Sequence, residues 1–160
     1  MIAFEEAFGA LAGGGVEFIV VGGVAAAIHG SARVTRDLDV VYRRTADNLR
    51  RLVDALSPHR PYLRGAPAGL PFRWDEETLR RGLNFTLSTS LGEIDLLGEI
   101  AGGGGYDSLV AHTAAVHVFG VDCLCLTLEK LIEVKRAAGR PRDLEAIAEL
   151  EALREERGRH

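Results

Sequence analysis

The sequence is poor in cysteine, and this scarcity limits the kinds of site that it can build. Its two cysteines, Cys123 and Cys125, lie two residues apart in VDCLCLTL, which alternates like a β-strand. Alternation would place both thiols on one face, with Cα atoms about 6 to 7 Å apart and parallel side chains, a poor geometry for a disulfide. Two thiolates alone are also too few for a structural zinc site. We therefore expect packing residues in a reducing cytoplasm.

Long apolar runs are missing as well. No segment approaches the ~20 consecutive apolar residues that a membrane-spanning helix needs. The amino-terminal segment MIAFEEAFGALAGGG has no basic region and carries Glu5 and Glu6 within its apolar pattern, so it does not resemble a signal peptide. We expect a cytoplasmic protein without a membrane partner.

Lysine is scarce: Lys130 and Lys135 are the only lysines among nineteen basic residues. The net charge of −4 argues against a protein that coats nucleic acid. Residues 33–81 nevertheless hold eleven arginines and seven acidic residues. This local excess of positive charge would suit a phosphate-rich partner, although an ordinary solvated surface would have the same composition.

The hydrophobic pattern predicts one domain over residues 1–160 that mixes helices with strands. Hydrophobic residues make up 47% of the chain and charged residues 26%, as in soluble globular proteins. The predicted order is helix, strand, helix, strand, helix, further strands and two helices, with a loop over residues 58–71. This order is typical of an α/β or α+β fold with a mixed sheet flanked by helices. We expect the core over about 16–126 and a C-terminal helical appendage over about 127–157.

Adjacent glycines end the first predicted strand, where bare backbone amides could approach a phosphate. Gly22 and Gly23 do not begin the dinucleotide pattern GxGxxG, because position 24 is valine. No lysine stands where the P-loop pattern GxxxxGK[ST] requires one. The nearby HGSAR segment, which contains Ser31, lacks the G-x-S-x-G elbow of serine hydrolases. A tight turn remains the alternative role of the glycines.

Two aspartates follow in the predicted strand RDLDVVY. Asp37 and Asp39 would point to one face of the sheet, while Leu38 and Val40 point into the core. Two carboxylates held this close repel each other, and each raises the pKa of the other unless a cation is bound. Oxygen ligands with open positions suit Mg²⁺, which commonly binds through one or two carboxylates and substrate phosphates. Solvated aspartates without a ligand are the alternative.

A third acid, Asp95, stands between apolar residues in GEIDLLG, a later predicted strand. It can therefore lie on the same face of the sheet as Asp37 and Asp39. Three carboxylates on adjacent strands can hold two Mg²⁺ ions, one that polarises a phosphoryl group and one that helps to activate an attacking oxygen. The three acids together are a candidate metal site.

The first C-terminal helix carries a lysine on its apolar side. In TLEKLIEVKRAAG, Lys135 continues an apolar stripe that includes Leu128 and Leu131. Either its stem covers the end of the stripe, or its ammonium group reaches triphosphate oxygens. Asp143, in the next predicted helix, would orient Lys135 or cap its own helix.

These residues together resemble the nucleotidyltransferase superfamily, whose members share a core like that of DNA polymerase β. The family pattern is a glycine pair, a spacer, Asp-apolar-Asp or Asp-apolar-Glu, and a third acid on a later strand. Here Gly22 and Gly23 precede DLDV over residues 37–40, with a spacer at the long end of the family's range, and Asp95 matches the third acid. Many members carry serine in place of Gly23, and Ser31 would substitute for that hydroxyl.

The likeness is greatest for small bacterial nucleotidyltransferases of abortive-infection and type IV toxin-antitoxin systems, in which a lysine precedes an Arg-x-x-Asp element. Lys135 and the RPRD segment over residues 140–143 are similar to that element. The resemblance implies a mixed-sheet nucleotidyltransferase core with a C-terminal helical appendage. It also implies transfer of a nucleoside monophosphate from an NTP, such as ATP, to an acceptor hydroxyl, with Mg²⁺ or Mn²⁺ as cofactor.

The resemblance also implies residue roles. Asp37 and Asp39 would bind both metal ions, and Asp95 would bind one and act as a general base. The residues expected to bind the nucleotide are Gly22, Gly23, Ser31, Lys135 and Asp143. The acceptor would be RNA such as tRNA, or protein, and a cognate toxin or antitoxin would be a partner. A catalytically silent nucleotide-binding or interaction module on the same fold is the alternative.

Overall fold

The structure, a computed structural model, describes residues 2–159 as a mixed seven-stranded sheet covered by helices. The strands are β1 (Phe18–Val21), β2 (Asp37–Tyr42), β3 (Tyr62–Leu63), β4 (Phe85–Thr89), β5 (Gly92–Leu97), β6 (Thr113–Val118) and β7 (Val121–Leu126). The helices are α1 (Phe4–Gly13), α2 (Gly22–Ile28), α3 (Ala46–Leu56), α4 (Glu76–Arg81), α5 (Tyr106–Leu109), α6 (Leu128–Ala138) and α7 (Pro141–Gly158). The predicted mixed-sheet fold with C-terminal helices is confirmed.

The sheet brings together strands that are far apart in the chain. Its order is β3-β4-β5-β2-β1-β7-β6. β2 runs parallel to β5, and β1 runs parallel to β7, whereas the other neighbouring pairs are antiparallel. The centre of the sheet is therefore β5-β2-β1, which places the first two strands of the chain beside a strand that begins fifty residues after β2 ends.

The burial of the central strands follows their sequences. All four residues of β1 are buried, which fits its unbroken apolar run FIVV. β2 instead begins with alternation, since Leu38 and Val40 are buried while Asp37 and Asp39 are half-buried. The same alternation in β5 buries Ile94 and leaves polar side chains on the other face. The two acidic strands thus present their carboxylates from a rigid sheet.

Several local signals act as the sequence predicts. The hydroxyl of Thr45 accepts a hydrogen bond from the backbone N–H of Asn48 at 3.3 Å and so caps α3. Gly120 lies between β6 and β7, at the turn of the predicted hairpin. Gly139 follows α6 with a left-handed φ of 65°, and Pro141 is the first residue of α7.

Three short elements are not predicted by the sequence patterns: β3, α4 and α5. β3 has two residues and lies within the loop predicted over residues 58–71. α4 has six residues and is capped by Asp75, whose carboxylate accepts from the N–H of Thr78 at 2.8 Å. Periodicity cannot be recognised in segments this short, and of the three only α4 has a capping side chain that could have indicated it.

The two C-terminal helices lie close to the extent predicted for the appendage, whose separation from the core remains a prediction. α7 also contacts the early part of the chain. The hydroxyl of Ser31, just after α2, donates to Glu149 Oε1 at 2.6 Å, and Arg157 Nη2 lies 3.0 Å from Nδ1 of His29. Over residues 2–159, no helix combines the length and the apolar character that crossing a membrane would require.

Candidate active site

Three aspartates meet on one face of the sheet where β2 and β5 run side by side. The parallel register pairs Asp39 directly with Asp95, and Asp37 lies two residues earlier on β2. One carboxylate oxygen from each of the three lies within 4.8 Å of the others, and all three residues are half-buried. We call these residues the acidic triad. The structure thus brings together the three acids that the sequence indicates.

Asp39 carries the strongest electrostatic conflict in the acidic triad. Its pKa is raised to about 7, first by burial and then by the carboxylates of Asp95 and Asp37, while Arg64 acts in the opposite direction. Its Oδ1 is buried and finds no hydrogen-bond donor among the described residues. A buried carboxylate oxygen without a partner is unfavourable unless a ligand supplies the missing interaction.

The acidic triad fits a divalent cation by the chemistry of its donors. Carboxylate oxygens are the hard ligands that Mg²⁺ and Mn²⁺ prefer, and the unpartnered Oδ1 of Asp39 is an unused ligand atom. The side chain of Asp37 is 37% exposed and that of Asp95 17% exposed, so the site faces solvent on one side. A substrate oxygen could therefore reach an ion held there.

The glycine pair lies directly beside the acidic triad. β1 ends at Val21, which pairs with Asp39 across the antiparallel β1–β2 ladder, so Gly22 follows at the level of that carboxylate. Gly22 has a left-handed φ of 65°, and a Cβ at this position would collide with the Asp39 carboxylate. α2 begins here, and within residues 2–159 no side chain caps its amino end. Gly22 is thus required both by the turn and by the close approach of Asp39.

The second glycine is held by a different neighbour. A Cβ at Gly23 would lie 2.7 Å from Oγ1 and 3.0 Å from Cβ of Thr35. The hydroxyl of Thr35 donates to the backbone oxygen of Asp37 at 3.1 Å. A threonine hydroxyl therefore lies against the position at which many relatives of the resembled family carry serine.

Ser31 does not lie beside the glycine pair. α2 separates it from Gly22, its hydroxyl donates to Glu149, and it does not belong to the residues that line the cavity beside Asp39. The sequence contains no signal for this placement, because it depends on where α7 packs. The role of Ser31 in nucleotide binding stays a prediction. In the structure its hydroxyl is hydrogen-bonded to Glu149.

A cavity of about 380 Å³ opens beside Asp39, between the sheet and α6. Its walls are mainly apolar, and Lys135 and Arg140 are its two cationic residues. The lining residues are Val21, Gly22, Asp39, Leu97, Ile100, Ala101, Leu131, Val134, Lys135, Ala138 and Arg140. The cavity therefore has in its lining a carboxylate suited to a cation and two basic groups suited to an anion.

Lys135 is held at this cavity by a buried acid. Its side chain is 17% exposed, and its Nζ lies 3.9 Å from Oδ1 of Asp143. Burial lowers the pKa of Lys135, whereas Asp143 opposes this shift. The carboxylate of Asp143 also accepts from the backbone N–H of Arg140 at 3.2 Å and from its Nε at 2.8 Å. Both roles weighed for Asp143, contact with Lys135 and helix capping, therefore occur together.

Arg64, at the end of β3, is a site residue that the sequence patterns did not single out. Its Nη2 donates to Oδ1 of Asp95 at 2.7 Å, and its Nη1 lies 3.9 Å from Oδ2 of Asp37. It is one of the eleven arginines of residues 33–81 and lies in the segment predicted as a loop, so only the pairing of β3 with β4 reveals its position.

Neither a protein-family model nor a curated protein sequence matches the chain. Several solved structures match the chain. The lincomycin-bound lincosamide antibiotic adenylyltransferase LnuA is 13% identical, with a TM-score of 0.61 over 95% of this chain and 98% of that one. A candidate nucleotidyltransferase from Thermotoga maritima is 15% identical, with a TM-score of 0.54 over 100% of this chain and 97% of that one.

The chain has the nucleotidyltransferase fold. The similarity covers nearly the whole length of all the chains concerned, so it includes both the sheet and the C-terminal helices. The resemblance read from the glycine pair and the three acids is confirmed at the level of the fold. The nearer likeness to abortive-infection and toxin-antitoxin proteins remains a prediction.

Proposed function

We propose that this protein transfers a nucleoside monophosphate from an NTP to an acceptor hydroxyl and releases pyrophosphate. The observation that carries the proposal is the position of the acidic triad. One of its members, Asp39, lines the same cavity as Lys135 and Arg140. Charges of both signs in one cavity suit a metal-bound nucleotide, because the acids would face the cation and the basic residues the phosphates.

In this reaction the acceptor oxygen bonds to the α-phosphorus. The bond from that phosphorus to the oxygen bridging to the β-phosphate breaks, and pyrophosphate leaves with the electron pair. The proton of the acceptor hydroxyl passes to the carboxylate of Asp95 and then to water. Mg²⁺ or Mn²⁺, held by Asp37, Asp39 and Asp95, supplies positive charge at the reacting phosphate when bound.

The other residues position the nucleotide. Gly22 lets the backbone at the start of α2 pass directly beside the Asp39 carboxylate, and no side chain among the described residues caps that end of the helix, so its N–H groups would be available to a phosphate. Lys135 acts as a point charge for phosphate oxygens, and Asp143 keeps it oriented. Gly23 preserves the contact of α2 with Thr35.

Transfer of label tests the proposal. The wild type, incubated with each α-³²P-labelled NTP, Mg²⁺ and candidate acceptors, should label one acceptor class. Asp37→Asn and Asp39→Asn should each abolish labelling while far-UV circular dichroism stays unchanged. Asp54→Asn is the matched control, because Asp54 is an exposed carboxylate on α3. Undiminished labelling by the Asp37 and Asp39 variants would overturn the assignment.

For the acceptor we propose RNA such as tRNA, or protein, in the cytoplasm and within a toxin-antitoxin pair. The arginine-rich segment 33–81 favours a polyanionic acceptor. The lincomycin-bound neighbour makes small molecules the natural comparison. The labelling screen should therefore include total tRNA, cell protein, lincomycin and aminoglycosides as separate arms.

A catalytically silent nucleotide-binding module is the second candidate. The observation that favours it is Arg64, whose guanidinium already neutralises part of the acidic triad. This reading predicts that an NTP binds in calorimetry while no acceptor class is labelled. Labelling of any acceptor that requires Asp39 would exclude it.

A further inference from the structure

Arg64 lies over the acidic triad and uses two of its carboxylates. Its Nη2 donates to Asp95 Oδ1 at 2.7 Å and to the backbone oxygen of Leu87 at 2.9 Å. Its Nη1 lies 3.9 Å from Asp37 Oδ2. The guanidinium therefore spans β5 and β2, the two strands that carry the triad.

The side chain is held more firmly than a surface arginine. It is only 25% exposed, its Nε is buried without a hydrogen-bond acceptor among residues 2–159, and Glu93 Oε2 lies 3.6 Å from that nitrogen. The backbone N–H of Arg64 donates to the oxygen of Thr86 at 2.9 Å, next to the β3–β4 pairing. Arg64 follows a two-residue strand at the edge of the sheet, so its long side chain can leave the triad without disturbing the central strands.

Arg64 contacts the carboxylates of Asp37 and Asp95, two of the three residues that would hold a divalent cation. A guanidinium and a metal ion within about 4 Å of each other repel, so the two compete for Asp37 and Asp95. The chain just beyond Arg64 borders solvent, since residues 67–71 are exposed. A released guanidinium would have solvent beside it rather than a packed core.

We propose that Arg64 is the resident counter-ion of the acidic triad and competes with the divalent cation, so that loading of the cation requires Arg64 to leave Asp95 and Asp37. The inference rests on the proposed function for the metal site. Arg64 acts as a positioning residue in it: the paired guanidinium holds the carboxylates of the free protein together and sets how tightly they take a cation.

Metal binding by itself tests this competition. Mn²⁺ titrations followed by electron paramagnetic resonance would compare the wild type with Arg64→Gln, Arg64→Lys and Arg73→Gln. Arg64→Gln should bind Mn²⁺ about tenfold more tightly, because a charge-assisted ion pair no longer has to break. Arg64→Lys keeps the charge and should fall between the two. Arg73→Gln, at an exposed arginine of the same connection, should match the wild type.

Trypsin offers a second measurement on the wild type, without substitution of Arg64. The protease must take the arginine side chain into its own pocket, so the bond between Arg64 and Gly65 should be cut slowly while the guanidinium is paired. Mn²⁺ should speed cleavage there relative to the bond after Arg73, which serves as an internal reference. An unchanged cleavage ratio would overturn the proposal.

The outcomes separate this inference from the proposed function. Equal or weaker Mn²⁺ binding by Arg64→Gln, with clear binding by the wild type, would overturn the competition and leave the metal site intact. Mn²⁺ binding by neither protein would overturn both. Tighter binding by Arg64→Gln together with metal-accelerated cleavage after Arg64 would support the competition even if no acceptor is ever labelled.

Discussion

Asp39 and Asp143 both act on the charge of Lys135, but from regions of very different design. Asp143, at the amino end of α7, is almost fully buried and accepts hydrogen bonds from the backbone and side chain of Arg140. These contacts hold its pKa below the ordinary value. Asp39, on β2, is half-buried beside two other acids, and its Oδ1 has no donor among the described residues. Its pKa is raised to about 7.

The contrast separates a structural carboxylate from a ligand-binding one. A buried acid whose oxygens are all used stabilises the fold and offers nothing to a ligand. An acid with an unused oxygen and like charges nearby weakens the free protein unless a proton or a positive charge offsets the conflict. The hydrogen bonds at the α7 end therefore use the Asp143 carboxylate, whereas the acidic triad keeps an oxygen of Asp39 that a bound ion could use.

Gly22→Ala should cause the largest loss of stability, because it changes both the backbone beside the acidic triad and the space of the Asp39 carboxylate. The new Cβ would collide with the Asp39 carboxylate at a left-handed φ. We expect the free energy of unfolding to fall by about 3 kcal/mol, from overpacking added to backbone strain, and Mn²⁺ binding to be lost. Chemical denaturation measures the first effect.

Gly120→Ala is the matched control for Gly22→Ala. Gly120 also has a left-handed φ, of 80°, but no described atom lies within 4 Å of a Cβ built there. Gly120→Ala should lower the free energy of unfolding by only about 1 kcal/mol, which is the cost of the left-handed backbone without a collision. If both variants lose the same stability, the close approach of Gly22 to Asp39 has no energetic weight.

Asp143→Ala tests the amino end of α7, where the carboxylate oxygens already have partners. It removes a helix cap and leaves Arg140 and the buried part of Lys135 without their acceptor. We expect a loss of about 2 kcal/mol of unfolding free energy, and a smaller loss for Asp143→Asn, which keeps an acceptor for the cap. Urea unfolding measures both. A loss within error of zero would mean that Asp143 is not the structural carboxylate that its contacts indicate.

Asp39→Asn should raise the free energy of unfolding near neutral pH, whereas the substitutions above lower it. The folded-state pKa of Asp39 is raised from 3.8 to about 7, so the folded protein retains a proton that the unfolded chain releases. Its contribution to stability is present below about pH 4 and is lost as the pH rises to about 7. The asparagine does not titrate, so in EDTA the variant should gain stability relative to wild type through this window, by about 1 kcal/mol or more above pH 7.

Unfolding at pH 4.5 and pH 8 checks this prediction, with Asp54→Asn as the exposed control. Asp143 does not confuse the comparison, because its lowered pKa places its own titration below this window. Saturating Mn²⁺ should reverse the order at pH 8, since wild type binds the ion and the variant lacks one ligand. A pH-independent difference between wild type and Asp39→Asn would contradict the raised pKa.

Much of the acidic triad could be predicted from the sequence because its signals are local. Alternation along β2 puts Asp37 and Asp39 on one face, and the same rule applies to Asp95 in β5. What the sequence could not provide is nonlocal: the register that sets Asp39 beside Asp95, and the two-residue β3 that delivers Arg64. The fold class followed from element order, whereas strand order depends on packing that no single segment encodes.

Ser31→Ala should have the smallest effect. The position of Ser31 depends on how α7 packs against the end of α2. The seven residues of α2 carry the chain about 10 Å away from Gly22 before Ser31 is reached. There the hydroxyl donates to Glu149 of α7. We expect Ser31→Ala to lower the free energy of unfolding by about 1 kcal/mol, the net value of a typical hydrogen bond, because Glu149 is partly exposed to solvent.

NTP affinity decides between the two roles of Ser31. Calorimetry with Mg²⁺ and each NTP should give the same dissociation constants for Ser31→Ala and wild type, because the hydroxyl serves the contact between α2 and α7. A clear loss of affinity with unchanged stability would instead restore the role inferred from the family pattern. It would also mean that α7 moves to release Ser31 when the nucleotide binds, since in the free protein Glu149 holds its hydroxyl.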